Sequence, residues 1–147
     1  MKPTWILVCG RDGARLFEHS GGEKKIRLVE TFSHPEGRLK EQDIVSDRAG
    51  RNFHRIDKVS HSGGKSGDPI AHSDRLFVEE LADYLKKGRE SSSYRRLYLV
   101  ASPRLLGIMK EGIDSETMKT ITGFYEKNLS HFPEMEVSLI LARELVL

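Results

Sequence analysis

The sequence predicts an α/β fold: a single domain with a mixed β-sheet of about five strands and helices on its faces. Three observations carry this. Two short continuous apolar runs, at residues 4–9 and 97–101, have the character of strands covered on both faces. From Ser73 onward, Phe77, Leu81 and Leu85 recur at the spacing of an amphipathic helix. The apparent strands first come as a group of three and then alternate with helices, an order that layers helices against one sheet. A length of 147 residues suits one domain with its own core.

The elements follow in order. Residues 4–9 form a central strand, and Gly10-Arg11-Asp12-Gly13 is turn chemistry, with Asp-Gly its strongest part. Residues 14–19 form a second strand, and Ser20-Gly21-Gly22-Glu23 a second turn. Residues 25–32 alternate, with Ile26, Leu28 and Phe32 on one face, and complete a β-meander. The helix bearing Phe77 is expected to be capped by Ser73 or Asp74 and ended by Gly88, with a polar loop at 89–93. After the strand at 97–101, Ser102-Pro103 opens a helix, with Ser as N-cap and Pro in the first position. Asp114 or Ser115 starts a short helix, residues 121–127 read as a strand, and a last helix begins within 130–133. No repeat or heptad pattern interrupts this order.

Composition excludes several classes. Hydrophobic residues make up 37% of the chain, which excludes wholesale disorder. Lys plus Arg total 24 against 22 acids, so the formal net charge is only +2 and any nucleic-acid contact must be local. A single cysteine, Cys9, excludes an intramolecular disulfide, and its place in an apolar run makes it a small buried hydrophobe. No run approaches the roughly 20 apolar residues of a membrane helix, and the opening run is too short for a signal peptide core, so a cytoplasmic location without membrane insertion is expected.

Residues 34–72 stand apart. Only about one residue in four is apolar there, and no period is visible. A stretch of that length without periodicity is a functional loop or a disordered one. Four of the six histidines fall within it. His54, His61 and His72 are irregularly spaced with no cysteine among them, which is the pattern of solvated loop histidines and not of a metal site. Ser62-Gly63-Gly64-Lys65-Ser66-Gly67 has a phosphate-loop flavour, but Val59 stands where a P-loop requires its first glycine, and Asp68-Pro69 follows where a helix should open. No nucleotide cofactor is expected. Arg48 and Arg51 make either a bidentate anion site or ion pairs with Asp43 and Asp47, the pairs being the commoner outcome. Lys86, Lys87, Arg89, Arg95 and Arg96 form a second basic group, read as a solvated face around a helix end. No nucleophile–base pair is legible, so no catalytic residue, metal or cofactor is assigned and the enzyme reading is disfavoured.

The whole pattern resembles the bacterial host attachment protein family, described as required for attachment to host cells. The resemblance rests on Trp5-Ile6-Leu7-Val8 with Gly13-Ala14-Arg15-Leu16-Phe17, on His-Pro-Glu-Gly-Arg at 34–38, and on Val-Ser-Asp-Arg-Ala-Gly-Arg at 45–51. It continues through Leu99-Val100-Ala101-Ser102-Pro103-Arg104-Leu105-Leu106-Gly107 and Glu126-Lys127-Asn128-Leu129-Ser130, where Asn128 and Ser130 depart from the family's Lys-Asp-Leu-Thr. That family is similar in turn to the central domain of archaeal and eukaryotic class-one peptide release factors, whose Gly-Gly-Gln loop enters the peptidyl-transferase centre. The comparable loop here is Gly63-Gly64-Lys65, with Lys in place of Gln. The resemblance implies a release-factor-like fold and loop candidates for binding at Arg38, Asp47, Arg48, Arg51, Gly63, Gly64 and Lys65. It implies a small non-enzymatic protein acting near RNA or ribosomes, with an indirect role in attachment. The alternatives are a release-factor-like hydrolase of peptidyl-tRNA esters and a protein-interaction module with no RNA role. The oligomeric state is not legible.

Overall fold

The computed structural model describes residues 2–20, 25–34, 69–145 and 147, with side chains in the second half from His72 onward. The strands are β1 (Thr4–Gly10), β2 (Gly13–His19), β3 (Ile26–Ser33), β4 (Arg96–Ala101) and β5 (Ile121–Glu126). The helices are α1 (Pro69–Glu90), α2 (Pro103–Gly112), α3 (Ser115–Met118) and α4 (Glu134–Glu144). All five strands join one open mixed sheet in the order β3-β2-β1-β4-β5. β1 pairs antiparallel with β2, as β2 does with β3, while β1–β4 and β4–β5 are parallel.

The central place of β1 explains its unbroken apolar run. Every one of its residues is buried, because both faces of the sheet are covered there. Trp5, Leu7 and Cys9 share one face with Leu16, Leu97 and Leu99, under α1 and α2. Ile6 and Val8 share the other with Phe17, Tyr98 and Val100, under α4 and Leu129. Burial in this sandwich pushes the Cys9 thiol well above its ordinary pKa, which leaves it inert.

α1 departs from expectation at both ends. It begins at Pro69, ahead of Ser73, so Ser73 and Asp74 lie inside the helix and are 2% and 1% exposed. They face the core and are not caps. At the other end Gly88 is still helical, and the chain turns at Ser92, the one non-glycine residue with positive φ (59°) among those described. The Ser93 N–H donates to Gly88 O at 2.8 Å and the Ser92 N–H to Arg89 O at 3.1 Å, the bond pair of a Schellman motif. Gly88 serves packing instead. A Cβ there would lie 2.8 Å from the Trp5 ring, which stacks against both Tyr84 and Tyr94.

Two local predictions hold in detail. Ser102 caps α2 by accepting the Leu105 N–H, with Pro103 in the first turn. Asp114 caps α3 by accepting the Thr117 N–H at 3.1 Å and the Thr117 hydroxyl at 2.7 Å. β5 stops at Glu126, one residue early, and α4 starts at Glu134 after Pro133. α4 crosses the back of the sheet, with the Ser138 hydroxyl donating to Ile26 O in β3.

Candidate functional site

The topology gathers four strand ends at one edge. β1, β3, β4 and β5 all run the same way and finish there, and the β1–β2 turn, the first turns of α1 and α2, and residues 127–130 complete the edge. In open α/β sheets this carboxyl edge is where ligands bind. The end of β3 and the start of α1, between which residues 35–68 fall in the sequence, both lie at this same edge.

A buried polar cluster holds these two points together. The His34 N–H, just past β3, donates to Asp12 O at 3.0 Å, and the ring of His34 stacks on Phe77 with centroids 4.4 Å apart and planes 2° from parallel. His34 Nε2 lies 3.2 Å from Asp74 Oδ1 and 3.4 Å from Ser73 Oγ. From α2, Arg104 Nη1 donates to Asp74 Oδ2 at 2.6 Å. The Asp74 carboxylate is 1% exposed and has a partner on each oxygen, as a buried charge requires. The cluster therefore ties β3, α1 and α2 to one carboxylate.

Serine, histidine and aspartate invite comparison with a hydrolytic triad, but the geometry differs. A triad places its acid on one ring nitrogen and its serine on the other, so that the acid orients the base. Here Asp74 and Ser73 both engage Nε2, and all three side chains are sealed from solvent. The arrangement positions chain segments and leaves no exposed nucleophile in this cluster.

Two clefts flank the cluster. One of about 280 Å³ lies between the β1–β2 turn and β3, with Arg15 and Ser130 on its walls. A smaller one of about 140 Å³ lies beside Gly10, Arg11, Ser102, Arg104 and Asn128. Arg15 is held in place by donating from Nη2 to Leu129 O at 3.0 Å. The Asn128 side-chain oxygen accepts from the Ser130 hydroxyl at 2.8 Å and its N–H at 3.3 Å, closing the turn after β5. Arg11 and Arg15 line the edge together with Asp12, Arg104 reaches it while paired with Asp74, and α2 directs its N-terminus to it. The chemistry available is the binding of an anionic or hydrogen-bonding group. Among the described residues, no three His, Cys, Asp or Glu side chains converge as a metal ion would need.

The predicted binding residues Arg38, Asp47, Arg48, Arg51, Gly63, Gly64 and Lys65 lie outside the described residues. Sequence reasoning missed the His34–Ser73–Asp74–Arg104 cluster. One signal was present: Asp74 falls three, four and seven residues before Phe77, Val78 and Leu81, on the apolar stripe itself. An acid on such a stripe needs a cation or donor brought to it by the fold.

Fold and edge together define an α/β domain that carries a long polar segment between two tethered points. The family described as "Protein required for attachment to host cells" matches residues 5–141, and the chain belongs to that family. No curated protein matches the sequence. Among solved structures the chain is similar to an archaeal translation termination factor, aRF1, at 12% identity and a TM-score of 0.49 over 98% of its own length. It spans 35% of that factor's chain. Among the described residues, no helix is long and apolar enough to cross a membrane.

Proposed function

We propose that this protein is a non-enzymatic cytoplasmic binding module, one domain that presents residues 35–68 to RNA, at or near the ribosome, and affects host attachment indirectly. The observation that carries this reading is the buried cluster at the carboxyl edge. It fixes both ends of the segment beside a rim of Arg11, Arg15 and Arg104. Within the segment, Arg38, Arg48, Arg51 and Lys65 are the candidate phosphate-binding cations, with Asp47, Gly63 and Gly64 as further binding candidates. Lys65 is read as a phosphate contact and not as a hydrolytic group, since a charged Lys offers donors only and has no acceptor to position water.

Co-sedimentation with ribosomes and fluorescence anisotropy with labelled RNA test this. Binding should weaken with salt, and Arg48→Ala and Lys65→Ala should each lower the slope of log K against log salt by about 0.7–0.9. Lys65→Gln should create no release activity. RNA affinity that is absent, or peptidyl-tRNA hydrolysis by the wild type that vanishes in Lys65→Ala, would overturn the reading, the latter in favour of an ester hydrolase.

A further inference from the structure

α4 carries two apolar stripes. Val137 and Leu141 point into the core, as the sheet requires. A second stripe points outward: Met135, Leu139 and Ala142, at spacings of four and three residues, with exposed Phe132 just ahead of the helix. Met135 is 77% exposed and Leu139 64%, the two highest values among the described large apolar residues. A groove of about 520 Å³ runs beside this stripe, with Lys25 and Arg27 from the start of β3 on its far wall. A helix apolar on both sides is built to be covered on both.

We infer that the cover is a second copy of this chain, with two α4 helices packed antiparallel about a two-fold axis. One register satisfies both shape and charge. When Met135 lies opposite Ala142 of the other copy, large meets small, and Glu134 falls level with Arg143 of the other copy, twice by symmetry. Leu139 then sits near the axis beside Ser138. Lys25 and Arg27 also line the groove, Arg27 being paired with Glu18 at 2.9 Å, so the charge match rests on Glu134 and Arg143. A lipid surface is the poorer match: membrane-surface helices carry Lys and Arg around the apolar stripe, whereas this one carries mainly acids. Two helices of 11 residues bury less than the roughly 1,200 Å² of a standard interface, so the dimer is weak and concentration-dependent.

Sedimentation velocity on the full chain, from about ten to several hundred micromolar, should show the mass rising from 16.7 kDa toward twice that value. Leu139→Glu should hold the chain monomeric across the range, with unchanged circular dichroism because the residue is exposed. Glu134→Arg alone should weaken association at least several-fold, and adding Arg143→Glu should restore it. That rescue is not expected from a change in helix stability. A wild type that stays monomeric at all concentrations would overturn the inference. So would a dimer indifferent to Leu139→Glu, a charge swap that fails to rescue, or a monomer that instead binds anionic vesicles through this stripe.

Discussion

Gly88 and Gly107 both sit inside helices, yet their surroundings give opposite expectations. Glycine within a helix costs about 0.5–1 kcal/mol relative to alanine, so replacement with Ala is favourable where space allows. Around Gly107 a Cβ would meet nothing within 4 Å. Gly107→Ala should raise stability by about 0.5–1 kcal/mol. At Gly88 the same Cβ would press on Trp5 Cη2 and Cζ3 at 2.8 Å and on Tyr94 at 3.1 Å. Trp5 has little room to yield, because it is buried and stacks against both Tyr84 and Tyr94. Gly88→Ala should therefore destabilise by about 1–3 kcal/mol despite its better helix propensity. Urea unfolding of the two variants checks both signs, and a stabilised Gly88→Ala would mean that the Trp5 stack is loose. The same residue shows where sequence reading stops. A glycine after a helical stripe reads locally as a stop, while the reason for this one lies in a ring on β1. The true left-handed position, Ser92, has no compositional signal because serine is not the usual residue there.

Among the elements, those governed by local chemistry were the legible ones. The buried strands announce themselves by continuous apolar runs, and α2 and α3 by Ser102-Pro103 and Asp114, whose caps act within three residues. α3 is only four residues long and depends on that cap. Its bonds to Thr117, chiefly the one from the hydroxyl, hold the Asp114 carboxyl below its ordinary pKa, with Arg89 at 3.7 Å assisting. A carboxyl with a lowered folded pKa stabilises fully above its unfolded value, about 3.9, and the contribution fades as pH falls through the folded value. Asp114→Ala should cost about 1 kcal/mol at neutral pH. The difference from wild type should shrink as the pH drops below about 4, which denaturant titrations at neutral and acid pH would show. A gap of constant size would mean that the charge contributes nothing and the loss is one of packing. The start of α1 was not legible, because Ser73 and Asp74 look like caps until the partners that bury them are known. Those partners are His34, some 40 residues earlier, and Arg104, 30 later, and periodicity encodes neither pairing.

At the scale of the molecule, the five-strand mixed sheet and its helix layers follow from the order of elements, and the family from motifs spread along the chain. The proposed binding surface does not follow in the same way. Its predicted residues belong to 35–68, where composition is polar and aperiodic, and polar residues without a period leave no pattern from which to read spatial grouping. What the structure adds is the edge at which that segment begins and ends, with its arginines and its buried tether.

That tether separates the evolution of the segment from the survival of the domain. Closure entropy grows only with the logarithm of loop length, so removing about a quarter of the chain between Thr4 and Arg96, which meet in the β1–β4 pairing, alters the closure term by about 0.3 kcal/mol. His34 already touches α1 at Asp74, five residues into that helix from Pro69, or about 7.5 Å along its axis. A link of about six Gly and Ser residues replacing 37–66 spans such a gap with slack. The shortened chain should fold with nearly the parent melting temperature and, on the proposed function, bind no RNA; a chain that collapses or precipitates would show that the excised residues belong to the core. If it folds, insertions, deletions and drift in this segment are nearly free in stability, and new binding preferences can be sampled there while β1 and its neighbours stay as they are.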